Sequence, residues 1–91
     1  MTDQEINRLV ILDVLNLNRE GEGWLDVVDI AAKASVSPRE ALEILKAEQE
    51  RGNALYGKRG LKEFFKADFE PGEMSGIRWA ASARAYHGLP A

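Results

Sequence analysis

A chain of 91 residues with 45% apolar and 30% charged content reads as one soluble domain, residues 1–91, built on a single small core. The absence of cysteine excludes disulfides and thiolate zinc sites. The formal net charge of −3 divides unevenly: residues 1–50 hold eleven acids against five bases, and residues 51–91 hold seven bases against four acids. A domain made only to grip phosphate is usually basic overall. A polyanion should therefore meet the C-terminal half first.

Thr2-Asp3-Gln4-Glu5 has the form of a capping box and opens a helix running to about Asn18. Its apolar residues, Ile6, Leu9, Val10, Ile11, Leu12, Val14, Leu15 and Leu17, cover more than half of the circumference. Asp3, Glu5, Arg8 and Asp13 interrupt that run, so it predicts neither a signal peptide nor a membrane span, and a cytoplasmic location is expected. A glycine-rich loop at Arg19–Gly23 follows, then a very short strand at Trp24-Leu25. Asp26 is placed to cap a second helix from Val27 to about Ala34. Ser37-Pro38-Arg39-Glu40 starts a third helix, with Ser37 as cap, Pro38 where no donor is needed and Glu40 able to reach back to the cap. Gly52 ends that helix after Arg51.

Ala54–Tyr56 reads as a strand. From Phe65 the pattern alternates, Glu70-Pro71-Gly72-Glu73 suits a type II turn, and Met74–Ala80 returns with Ile77 and Trp79 on one face. Phe64–Ala80 therefore predicts a β-hairpin, although Leu61, Phe64 and Phe65 also fit one helical face over Leu61–Ala67. The tail, residues 81–91, carries no strong signal.

Residues 26–55 thus give two short helices joined by a tight turn, and Ile30, Ala31 and Ala34 form a small apolar face for a close crossing. This is the spacing of a helix-turn-helix, and with the flanking elements it resembles the winged-helix proteins over residues 3–80. The resemblance implies an α+β fold with a three-helix core, a helix-turn-helix and a small antiparallel sheet or wing. It also implies nucleic-acid binding, which most of that superfamily performs. Two positions depart from the pattern. Glu48 stands where an apolar residue usually lies four before the glycine, and Asn53 separates Gly52 from the apolar Ala54 and Leu55.

In such a fold the outward face of the third helix enters the major groove. Here that face carries Ser37, Arg39, Glu40, Glu43, Lys46, Ala47 and Glu50. Ser37, Arg39, Glu43 and Lys46 are the candidate DNA contacts: Arg39 for guanine or phosphate, Lys46 for phosphate, and a glutamate for cytosine N4. The same residues fit a solvated helix laced with pairs such as Arg39–Glu43 and Glu43–Lys46. Lys58 and Arg59, between Gly57 and Gly60, together with Lys62 suit either a mobile phosphate-gripping loop or a solubilising one. No P-loop string accompanies them.

On the first helix, Ile11 and Leu15 look away from the Ile6–Val10 stripe and are the expected contact of a twofold homodimer, unless the tail covers them. Trp24 and Trp79 read as core or wing-packing residues. His87 is the only histidine, so no metal site of ordinary type is expected. No nucleophile, base and orienting group stand together, so no enzyme activity and no cofactor are expected. The leading expectation is a winged-helix regulator of transcription that binds double-stranded DNA as a dimer. The alternative is a winged-helix module that binds another protein, which the acidic third helix suits.

Overall fold

The computed structural model describes residues 3–19 and 23–69. The expected strand over 74–80, with Trp79, and the tail with His87 lie outside the described residues. The elements run α1 (Asp3–Leu17), β1 (Leu25–Asp26), α2 (Val27–Ala34), α3 (Pro38–Glu50), β2 (Ala54–Arg59) and β3 (Lys62–Ala67). The strands form one antiparallel sheet in the order β1-β3-β2. Three helices and a small three-stranded sheet in this arrangement make an α+β winged helix.

Local signals set the helix ends. Asp26 accepts a hydrogen bond from the Val28 amide at 2.9 Å and starts α2, and Ser37 accepts from the Glu40 amide at 3.1 Å and starts α3. Between them the chain turns at Ser35, which takes a left-handed φ of 58° and lets its own amide and that of Val36 bond back to the last turn of α2. The second half of the expected capping box is absent. The Glu40 carboxylate instead accepts from the Asn7 side chain of α1 at 3.1 Å.

Helix α1 is the centre of the molecule. It packs against α2, α3 and β3, and residues all round it are buried, including Ile6, Val10, Leu12 and Val14. Three neighbours need three apolar stripes, which accounts for a helix too apolar for one face. Ile11 and Leu15 are 0% and 1% exposed. The dimer contact expected of them is thereby corrected, because both side chains lie inside the subunit's own core.

The hairpin formed by β2 and β3 is not among the expected elements. β2 pairs with β3 through all six of its residues, from Ala54 opposite Ala67 to Arg59 opposite Lys62, so the turn falls at Gly60-Leu61. Gly60 has φ 63°, the conformation a two-residue hairpin turn with glycine first requires. Phe64 and Phe65 pair with β1 on the other side, and the expected turn at 70–73 and return strand lie outside the described residues. The helical alternative over Leu61–Ala67 fails because Phe65 points into the core against Tyr56, ring centroids 5.1 Å apart, while Phe64 stands on the opposite face.

Candidate nucleic-acid interface

Arg39, Glu43, Lys46 and Glu50 recur at helical spacing along one exposed face of α3. Arg39 lies 3.8 Å from Glu43, the expected i,i+4 pair. The expected Glu43–Lys46 pair is replaced: the Lys46 ammonium lies 3.9 Å from Glu63, on β3. Ser37 is exposed, but its hydroxyl is committed to the helix cap.

Lys58, Arg59 and Lys62 are all exposed. They sit on the two paired strands next to the turn, with Arg59 opposite Lys62 and Lys58 opposite Glu63. The expected basic loop is therefore a rigid hairpin end. Gly57 makes room for an aromatic ring. A Cβ there would come within 3.3 Å of the Trp24 ring, so the missing side chain lets the indole lie across the outer face of the sheet. Lys66 covers the same ring at 5.4 Å. Trp24 is thus a wing-packing residue.

Glu63 joins the two cationic elements. It accepts from the Tyr56 hydroxyl at 3.0 Å and faces Lys46. Partial burial and the bond and charge of Glu63 push the Tyr56 phenol above its ordinary pKa. The described structure therefore brings Lys46 to the wing, next to Lys58, while Arg39 stands two turns earlier on the same helix face. Sequence reasoning missed Tyr56 and Glu63, although their alternation in neighbouring strands carries the signal.

The other flank of α3 has opposite character. An open groove of about 770 Å³ runs between α1 and α3, and Asp3, Glu5, Glu40 and Glu43 line it. At its floor Glu48 is 0% exposed and accepts from Arg8 Nε at 2.7 Å, Arg8 Nη2 at 3.1 Å, Asn53 Nδ2 at 2.9 Å and the Arg51 guanidinium. Burial pushes its pKa up, but the bonds from Arg8 and Asn53 and the charges of Arg8 and Arg51 outweigh it and hold the carboxyl below its ordinary value. The two departures from the winged-helix pattern are therefore one feature. Glu48 takes the core position and Asn53, whose amide also bonds the Glu48 carbonyl at 2.9 Å, supplies part of its shell.

No group of side chains able to hold a metal ion occurs among the described residues, and none of the described helices is long and apolar enough to cross a membrane.

Two solved structures resemble the chain. The crystal structure of NadR in complex with 4-hydroxyphenylacetate matches with a TM-score of 0.60 at 21% identity, covering 97% of this chain and 59% of that one. The crystal structure of human N-acetylserotonin methyltransferase in complex with SAM matches with a TM-score of 0.59 at 19% identity, covering 92% of this chain and 29% of that one. No family model and no curated protein matches the chain. The chain spans less than two thirds of either matched structure, and at these identities the likeness is one of fold.

Proposed function

We propose that this chain is a winged-helix module that binds double-stranded DNA in the cytoplasm and serves in the regulation of transcription, with no catalytic activity of its own. The observation that carries the reading is the approach of Lys46 to the wing through Glu63. It sets Lys46 beside Lys58 on one face of the wing, with Arg59 and Lys62 paired at the hairpin end and Arg39 two turns earlier on α3. Of the acids around them, Glu43 is engaged with Arg39 and Glu63 with Tyr56 and Lys46, while Glu50 shares the exposed face with Lys46. In this reading Arg39 reaches a base edge or phosphate at the start of α3, Lys46 a phosphate, and the hairpin cations the backbone alongside. A twofold dimer would have to form elsewhere than at Ile11 and Leu15.

The test is fluorescence anisotropy with mixed-sequence duplex at two salt concentrations. Replacing Lys58, Arg59 and Lys62 by alanine should weaken binding to all sequences alike. The log–log salt slope should fall in magnitude by about 0.9 for each lost contact. Unchanged affinity and slope would remove the wing from the interface.

A second reading has its own observation, the acidic α1–α3 groove, which suits a basic segment of a partner protein. A wild type with no salt-dependent affinity for any duplex would favour it. The methyltransferase likeness is a reminder that proteins named for other work contain folds of this shape.

A further inference from the structure

Leu61 is 98% exposed, against 59%, 58%, 41% and 40% for Leu17, Val28, Leu55 and Trp24, the other exposed large apolar side chains among the described residues. Those four keep substantial contact with the fold. Leu61 touches almost nothing. Its position does not call for leucine on local grounds either, because the turn's special backbone is supplied by Gly60 and hairpin tips favour small polar residues. An isolated apolar side chain held out in water gains from burial against a partner surface.

The surroundings say what kind of molecule. Arg59 and Lys62 flank the turn as a cross-strand pair, with Lys58 one residue further back, and all three are exposed. The tip is thus one apolar point within a collar of cations. Among the described residues, the acid close behind it in β3 is Glu63, which is held by Tyr56 and faces Lys46. Proteins that wedge a base step open use this pairing: an apolar side chain enters between stacked bases while cations neutralise the phosphates on either side. An anionic lipid surface would attract the same collar, but burying one leucine is too little for stable anchoring. The α3 cations continue the site toward DNA.

Resting on the proposed DNA-binding function, we infer that Leu61 is a wedge that inserts between base pairs from the minor groove and bends the duplex. Sequence preference then follows from deformability. Pyrimidine–purine steps such as TA unstack most easily, and stiff A-tracts resist, so the hairpin would select flexible steps without a hydrogen bond to any base.

The test uses short duplexes with a central TA step or an A-tract, 2-aminopurine at the centre and a dye pair at the ends. The wild type should raise 2-aminopurine fluorescence, shorten the end-to-end distance and prefer the TA duplex. Leu61→Ser, at a position with no packing to lose, should abolish all three. Its affinity for the TA duplex should fall about tenfold, roughly the worth of one buried leucine, with the salt slope unchanged because the collar remains. A wild type that binds without unstacking, or a Leu61→Ser protein that unstacks as well as wild type, overturns the wedge and leaves DNA binding standing. Absence of salt-dependent binding to any duplex overturns both. Wild-type affinity for phosphatidylserine vesicles that Leu61→Ser loses, with duplex behaviour unaltered, assigns the tip to lipid and overturns the wedge.

Discussion

Two glutamates show how position decides what an ion pair does. Glu48, on α3, is 0% exposed and receives hydrogen bonds from Arg8, Arg51 and Asn53. Glu63, on β3, has a side chain 26% exposed, lies 3.9 Å from Lys46 and accepts from Tyr56. The first is wired into the seam between α1 and α3 and has no exposed surface with which to meet a ligand. The second lies on the flank where the candidate interface forms, and water reaches both partners. Charge at the seam should therefore govern stability, and charge at the wing should govern binding.

The sharpest way to break that division is to take apart the seam one partner at a time. Arg8→Met leaves the buried Glu48 carboxylate with Arg51 and Asn53 alone, and should cost about 2–4 kcal/mol of folding stability in urea or thermal unfolding. Glu48→Met removes the buried charge itself. Arg8 and Arg51 have side chains 31% and 55% exposed and can turn toward water, so this variant should be much closer to wild type, within about 1–2 kcal/mol. Equal losses in the two variants would mean that desolvation of Glu48 is not what Arg8 relieves.

The same carboxylate predicts a pH dependence. Its folded pKa is lowered from 4.5, so the unfolded chain takes up the proton first as pH falls. The stabilisation is complete above the ordinary glutamate range and is lost on acidification from about 4.5 down through the folded value. The stability difference between wild type and Glu48→Met should therefore shift in favour of the variant below that pH. A difference flat from neutrality to acid would show that Glu48 does not titrate in the seam.

The comparison also explains what could be read from the chain and what could not. Helix starts were legible because caps are local: Asp26 with Val28, and Ser37 with Glu40, lie two and three residues apart. Glu48 and Asn53 stood out as departures from the pattern. Their joint role was hidden because Arg8 is 40 residues away and no periodicity links a cation on α1 to an acid on α3. The excess of apolar residues on α1 was plain, and it suggested a partner subunit. Only the topology shows that α2, α3 and β3 all converge on that helix and take in Ile11 and Leu15. The β2–β3 hairpin was not legible because Gly60-Leu61 has one glycine and a leucine where turn chemistry favours a polar residue; the stronger turn signal at Pro71-Gly72 lies outside the described residues. That unexpected leucine concealed both the turn and the most exposed large apolar side chain among the described residues.

The smallest expected effect on stability is at the wing, and it separates the two regions most cleanly. The Lys46–Glu63 pair is long at 3.9 Å, and the lysine side chain is 56% exposed. Such pairs contribute little, because water screens them and two flexible side chains must be held in place. Lys46→Ala should change unfolding stability by no more than about 0.5 kcal/mol. In the same protein DNA affinity should fall for every sequence, and the salt slope should drop in magnitude by about 0.9, the signature of one lost phosphate contact. Lys46→Arg, which keeps the charge, should retain most of both. A stability loss as large as that of Arg8→Met, or a salt slope unmoved by alanine, would mean that Lys46 serves to hold the wing to α3. The cations of the helix and the hairpin would then cease to be one surface for binding.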